Sequence, residues 1–333
     1  MKQALFCKKE SDSVKCELCP HNCMIKQDKK GICGVRKNIK GKLYSLSYGK
    51  PCAMHIDAVE KKPLYHFLPN SKIYSIGTVG CNLTCDSCQN YQISRAHPED
   101  HDFQEVKPEQ IVRLAVKNNC NSIAYTYTEP TIFIEYALEI AKLAKKNQLK
   151  NVIVSNGFIN EKPLTELCRC LDAANIDLKS FNEDFYKKHC GAFLSPVLDS
   201  LKILKEKKIW TEITNLVIPG LNDNPKDFEK MCRWIKTELG EQVPLHLSRF
   251  YPYYKLDHIQ PTSMQILKKL SKIAKDYLDY VYIGNILTDK DANTYCGNCQ
   301  ALLIEREGFD VLKNNIIGGR CKDCKKNIPG VWD

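Results

Sequence analysis

Three cysteines on one short loop limit what this chain can fold into and what it can hold. Cys81, Cys85 and Cys88 stand in KIYSIGTVGCNLTCDSCQN, residues 72–90, with three and then two residues between them. A strand-like run over 73–79 leads into them, and Gly80 supplies the turn. Three thiolates on a loop after a strand can hold three corners of a cubane iron–sulfur cluster. Ordinary [4Fe–4S] sites take four cysteines, so a three-cysteine site leaves one iron open to another ligand. The competing readings are a zinc knuckle, with His97 and His101 as the nearest further ligands, and buried thiols that pack as small apolar groups.

The chain has 18 cysteines in 333 residues. Such a count suits a secreted disulfide framework, but close pairing suits metal. Cys296, Cys299, Cys321 and Cys324 form two CxxC pairs with a hairpin-like span between them. They read as a zinc ribbon or a rubredoxin-like iron site. Structural zinc supplies ~10–16 kcal/mol in isolated fingers, enough to order a small appendage with little core. Cys16, Cys19, Cys23 and Cys33 are four thiols at irregular spacing, and zinc and a second iron–sulfur cluster both remain open for them. Cys7, Cys52, Cys120, Cys168, Cys170, Cys190 and Cys232 read as structural.

Length and charge narrow the class. The chain is long enough for one main domain with appendages. No apolar run reaches the ~20 residues that span a bilayer, and the first residues, MKQALFCKKESDSVKCE, lack a signal-like apolar core. The expected compartment is the cytoplasm. The formal charge is +10, from 49 basic and 39 acidic residues, which raises nucleic acid as a partner. Only eight of the basic residues are Arg, and the Lys are scattered along helix faces without interleaved aromatics. The charge therefore reads as a solvated Lys-rich surface, and a nucleic-acid partner is not expected.

From residue 73 onward, strand-like and helix-like runs alternate. The strands are expected at 73–79, 122–127, 151–155, 174–178, 210–218, 244–250 and 280–286. The helices are expected at 108–118, 131–146, 163–171, 195–207, 225–239 and 262–277. Short apolar strands alternating with amphipathic helices are βαβ units around a parallel sheet. About six units are fewer than the eight of a full barrel of ~250 residues. The expected fold is α/β: a partial (β/α)6 barrel of the TIM type over 61–287. A Cys-rich metal-binding segment over 1–60 precedes it, and a small zinc-ribbon-like module over 288–333 follows. Active sites of such folds lie where strands end. Those junctions carry Glu129, Ser155, Asn156, Asp177, Lys179, Arg249 and Asn285. Each also has a plainer role: Glu129 as a charge at a helix start, Asn156 in a turn, Asp177 and Lys179 as a surface pair, and the aromatic loop RFYPYY as packing.

The loop CNLTCDSCQN resembles the signature of radical S-adenosylmethionine (SAM) enzymes. With TYTEP, SNGF, IDLKSFNEDFY, VIPGLND and FYPYY following in order over about 72–256, it is similar to the branch that includes pyruvate formate-lyase activating enzyme. The resemblance implies a [4Fe–4S] cluster at Cys81, Cys85 and Cys88 whose open iron chelates SAM. It also implies reductive cleavage to a 5′-deoxyadenosyl radical, and a low-potential donor such as flavodoxin or ferredoxin. By the same resemblance, Glu129 would meet the SAM amino group, and Ser155 and Asn156 its ribose or methionine end. Asp177 and Lys179 match the Asp-Leu-Lys of the activating enzymes. Two departures stand out. Ser87 occupies a position that is often aromatic in the family and packs near the adenine. Val154 stands where an acid of a monovalent-cation site would be, so that site is not carried over.

CELCPHNCMIKQDKKGICGVR at 16–36, IDAVEKKPLYHFLPNSKIYSIGTVGCNLTCDSCQNYQIS at 56–94 and IPGVW at 328–332 resemble the radical SAM enzymes of the AmmeMemoRadiSam system. That resemblance implies AMMECR-like and Memo-like partners and names no substrate. The function expected is hydrogen abstraction from an unidentified substrate. A glycyl-radical-enzyme activase is the alternative enzyme, and a metal-stabilised RNA-binding or scaffold protein is the alternative of another class.

Overall fold

The computed structural model describes residues 1–100, 102–286 and 290–333. His101 and the module boundary expected after residue 287 lie outside them. The strands of the main sheet are β1 (Pro51–Ala58), β2 (Lys72–Thr78), β3 (Ser122–Tyr125), β4 (Lys150–Ser155), β5 (Ala173–Asp177), β6 (Trp210–Val217), β7 (Leu245–Arg249) and β8 (Val281–Gly284). They lie side by side in chain order. β2 through β8 are parallel, and β1 is antiparallel to β2.

The parallel strands are near-continuous buried runs, as strands covered on both faces must be. All four residues of β3 are buried, as are six of seven in β2. β1 was not among the expected strands. It alternates poorly because its middle, Met54–Ile56, is exposed at the sheet edge. The sheet thus reaches back to Pro51.

The helices α1 (Pro108–Lys117), α2 (Ile134–Lys146), α3 (Glu161–Cys168), α4 (Ser195–Glu206), α5 (Pro225–Trp234) and α6 (Met264–Lys275) fall between the parallel strands. Proline opens α1 and α5 at a position whose N–H would have no intrahelical partner. Asn224 caps α5 through the N–H groups of Lys226 and Asp227, and Ser263 caps α6 through that of Ile266. Two expected helices are broken. Pro130–Phe133 forms a 3-10 turn before α2, because the Glu129 side chain accepts the Thr131 N–H. α5 widens into a π turn over Ile235–Leu239, where the Gly240 N–H reaches back to Ile235. Apolar spacing is the same on either side of such changes, so periodicity alone does not reveal them. Among the described residues no helix is long and apolar enough to cross a membrane.

Two small antiparallel sheets of residues 2–45 pack against the first helices. A buried ion pair pins them there: Arg36 Nη2 donates to Glu135 Oε1 of α2 at 2.7 Å, and the Leu5 N–H donates to the same oxygen at 2.7 Å. At the other end of the chain, Leu302–Glu307 pairs with Thr294–Tyr295 and with Asp310–Asn314. The core of this module is small, consisting of Cys296, Leu303, Ile304, Cys321 and Ile328. The module docks on the N-terminal ends of the sheet strands. Arg306 donates to the Tyr65 carbonyl at 2.8 Å and its guanidinium lies 4.2 Å from the Tyr65 ring centroid. The Val331 N–H donates to the His66 carbonyl, and the Leu68 N–H to that of Val331. Beneath them Glu212 of β6 accepts from the Tyr65 and His66 N–H groups at 2.9 and 2.8 Å. It also accepts from Trp210 Nε1 at 3.0 Å, and it pairs with His246 of β7 at 2.6 Å.

Candidate active site

The C-terminal ends of β2, β3, β4 and β5 are neighbours, so the loops that leave them open on one edge of the sheet. Cys81, Cys85 and Cys88 follow β2, Glu129 follows β3, Ser155 ends β4 with Asn156 after it, and Asp177 ends β5. The chain reaches Cys81 through Gly80, whose φ of +93° disfavours a side chain. A Cβ there would stand 2.7 Å from the Cys33 carbonyl and 2.6 Å from Val35.

A polar network joins these loops. Asn82 donates to the Phe158 carbonyl at 2.8 Å and accepts from Asn156 Nδ2 at 2.9 Å. Asn156 Nδ2 also lies 3.9 Å from Cys81 Sγ, and the Leu83 N–H donates to that sulfur at 3.5 Å. Glu129 is fully buried. Its Oε1 accepts from the Thr131 N–H, Thr131 Oγ1 and Ser155 Oγ at 2.9, 2.6 and 2.8 Å, and Oε2 accepts from the Asn156 N–H at 2.9 Å. Burial holds its carboxyl above the ordinary range in spite of these donors. Glu129 therefore fills the plainer of the two roles weighed from the sequence. It caps the turn at 130–133, and it lies near Cys81, whose thiol it pushes upward together with burial.

On the other side of the loop Lys179 pairs with Asp177 at 3.0 Å, and both are half-buried. Burial opposes the charge on Lys179, but Asp177, Cys85 and Cys190 outweigh it and hold the ammonium well above its usual pKa. Cys190 is a contact that sequence reasoning missed. Its thiol lies beside that of Cys85, both free, and its carbonyl accepts the Thr84 N–H at 2.9 Å. Asp86, Lys255 and His189 tie the loop further: Lys255 meets Asp86 at 3.1 Å and His189 meets it at 3.1 Å. Tyr91 stacks on Tyr254 at 4.4 Å, so the FYPYY segment folds over the cysteine loop. Arg249 is engaged locally, donating to the Thr262 carbonyl at 2.8 Å and lying 5.0 Å from the Tyr251 ring centroid. Asn285 is exposed and donates to the Arg249 carbonyl at 2.8 Å. Asn82 carried no signal beyond its place in the motif, and its partner is 74 residues away.

The three cysteine sets differ in geometry. The sulfurs of Cys296, Cys299, Cys321 and Cys324 all lie within 4.8 Å of one another, with Cys296–Cys324 at 3.6 Å and Cys299–Cys321 at 3.8 Å. Four metal–sulfur bonds of ~2.3 Å around one tetrahedral ion give sulfur–sulfur edges of about 3.8 Å, so this set fits a single ion. Among the described residues, neither Cys81, Cys85 and Cys88 nor Cys16, Cys19, Cys23 and Cys33 form such a close group. His97 lies against Gly34. A cubane takes one thiolate per iron, at separate corners. The residue types at Cys81, Cys85 and Cys88, three thiols on one loop with amide donors on Cys81, fit that group.

The family model described as the radical SAM superfamily matches residues 75–235, from within β2 to just past α5. An uncharacterized protein of Methanocaldococcus jannaschii is 44% identical over 335 residues, covering 99% of this chain and all of its own. The 4-hydroxyphenylacetate decarboxylase activating enzyme of Clostridium scatologenes is 23% identical over 228 residues, 61% of this chain and 71% of that protein. Among solved structures, Streptococcus suis SuiB bound to S-adenosylmethionine has a TM-score of 0.52 at 12% identity. That match covers 72% of this chain and 56% of SuiB, and it shows a shared fold.

Proposed function

The chain belongs to the radical SAM superfamily, and from that premise we infer that it cleaves S-adenosylmethionine at a [4Fe–4S] cluster held by Cys81, Cys85 and Cys88. The protein is an enzyme, and its substrate is unidentified. One observation carries the assignment. The Cys81 thiol is joined through Asn82 and Asn156 to Glu129 and Ser155, so three adjacent strand ends are organised around one cysteine loop. When bound there, the cluster supplies the electron that cleaves SAM.

The remaining roles belong to side chains. Glu129 Oε2 accepts one hydrogen bond among the described residues and has room for one more, which suits the SAM ammonium. Asn156 and Ser155 hold that carboxylate in place and lie where the ribose or methionine end would rest. Asp177 and Lys179 offer a paired charge on the Cys85 side for the remaining polar groups of SAM. The Tyr91–Tyr254 stack covers the loop and helps keep water from it.

On this reading the sheet and helices form a partial barrel of six units. The C-terminal cysteines hold zinc, and a flavodoxin or ferredoxin donates the electron. Proteins resembling AMMECR and Memo act with the enzyme in the cytoplasm. A second reading, activation of a glycyl-radical enzyme, is favoured by relatives named as activating enzymes. It predicts a lasting protein radical on an added glycyl-radical partner.

The test is anaerobic reconstitution of wild type and of Cys81→Ala, Cys85→Ala and Cys88→Ala, followed by assay of 5′-deoxyadenosine. Each substitution should abolish the product and leave the metal of the C-terminal module in place. Product formation persisting in all three variants would overturn the assignment.

A further inference from the structure

We propose that Cys16, Cys19, Cys23 and Cys33 bind a second iron–sulfur cluster, and that electrons reach the Cys81, Cys85 and Cys88 site through it. The four cysteines come from separate turns, yet they line one pocket together with Ile25 and Ile132. Backbone N–H groups just downstream face three of the thiols: that of Leu18 is near Cys16, that of His21 near Cys19, and those of Val35 and Arg36 near Cys33. This is the relation that Leu83 has to Cys81. Such donors stabilise a thiolate, so the set is built for metal.

Spacing decides which metal group fits. At the C-terminal module four sulfurs stand at the edge length of one tetrahedral ion. The N-terminal four are not such a close group among the described residues, although all four line one pocket. A cluster takes one thiolate at each of four separate corners, so it does not require the four sulfurs to close on a single ion.

Charge points the same way. Arg36 also lines this pocket and is 1% exposed, yet its Nε and Nη1 have no hydrogen-bond partner among the described residues. Two buried cationic donors left unpaired are costly. A bound anionic cluster, with its sulfides and thiolates, would satisfy them.

The second half of the proposal rests on the reading of Cys81, Cys85 and Cys88 given above. His21, two residues after Cys19, bonds the Asn82 carbonyl through Nε2 at 2.8 Å, and Asn82 adjoins Cys81. The Cys33 carbonyl presses on Gly80, where a Cβ would come within 2.7 Å of it. The two cysteine loops therefore touch at both sides. One electron leaves an external low-potential flavin or iron–sulfur donor, which is oxidised by one unit. It resides on the N-terminal cluster and then reduces the Cys81, Cys85 and Cys88 cluster by one unit. No bond is made or broken in the transfer.

The full-length chain tests this as wild type, as the triple variant Cys81→Ala, Cys85→Ala, Cys88→Ala, and as the quadruple variant Cys16→Ser, Cys19→Ser, Cys23→Ser, Cys33→Ser. Each is reconstituted anaerobically, and acid-labile sulfide, iron and zinc are counted. A single ion at the C-terminal module carries no sulfide. Two clusters give about eight sulfides in wild type and about four in each variant. About four in wild type with none in the triple variant overturns the second cluster, as does zinc in its place. Wild type and the triple variant decide the matter even if the quadruple variant fails to fold. Sulfide kept by the triple variant but lost from the quadruple would instead overturn the reading of Cys81, Cys85 and Cys88. For the relay, the quadruple variant should lose 5′-deoxyadenosine formation with reduced flavodoxin and keep it with dithionite. Equal retention with both reductants, or equal loss, overturns the relay.

Discussion

Glu129 and Glu212 are both sealed from solvent in the same sheet, one where β3 ends and the other near where β6 begins. Each accepts four hydrogen bonds, yet their chemistry is opposite. Glu129 has neutral donors, so burial dominates and its carboxyl sits above the ordinary range. Glu212 is equally desolvated, but His246 and then His66 more than offset that, and its carboxyl sits below the range. Burial alone therefore does not mark a functional carboxylate. Glu212 is closed on all sides by groups that fasten the docking of residues 65–66. Glu129 is braced by neutral groups beside a loop of thiols, with acceptor capacity left on Oε2.

The largest effect expected from breaking this contrast is at Glu212. Glu212→Gln leaves His246 and the surrounding donors without their anion, which costs about 3–5 kcal/mol for a buried pair deprived of one partner. The midpoint of denaturant unfolding should fall, while 5′-deoxyadenosine formed per folded chain should stay. The pH dependence has a definite sign. The folded pKa of Glu212 is depressed, so its stabilisation is present above the ordinary carboxylate range and is lost as pH falls through the depressed value. The gap between wild type and variant should close in acid.

Glu129→Gln is expected to cost less, about 1–3 kcal/mol, since one oxygen that accepts hydrogen bonds becomes a donor. Its pH dependence runs the other way. The folded pKa of Glu129 is raised, so its stabilisation is present below the ordinary carboxylate range and declines as pH rises through the raised value. Unfolding curves at several pH values should show the gap from wild type widening in acid and narrowing toward neutrality. SAM affinity should fall while iron content holds, the reverse of the pattern at Glu212. The smallest effect is expected at Ser155→Ala. Loss of its bond to Glu129 should cost about 0.5–1.5 kcal/mol and weaken SAM binding in an equilibrium titration. A stability loss equal to that of Glu212→Gln would erase the distinction between the two ends.

The alternation of elements was legible because parallel strands are buried on both faces and their helices are amphipathic. All seven parallel strands and six helices lie where the spacing put them, within a few residues. β1 escaped because an edge strand with an exposed middle has no apolar signature. The turn at 130–133 and the π turn at 235–239 escaped because both continue a helical apolar stripe. At the site, strand ends pointed to Glu129, Ser155, Asn156 and Asp177, since position in a parallel sheet follows from order alone. Cys190 beside Cys85 and His21 on Asn82 depend on where distant loops fold back, and nothing local encodes that. Arg249 shows the converse: a residue at a strand end, aimed by its neighbours at Thr262 and Tyr251.

The floor of the sheet also carries a kinetic consequence. His66 bonds the Pro329 carbonyl across 263 residues of chain. Contacts of such long separation form slowly, because the intervening chain must be ordered before they contribute. During synthesis the strands that frame Glu212 are complete well before the segment that covers His66 has been made. Until then the base of the molecule presents an uncovered polar knot and the apolar rims of Phe67 and Trp210. Sheet formation and closure of its base are therefore separate events in the assembly of this protein.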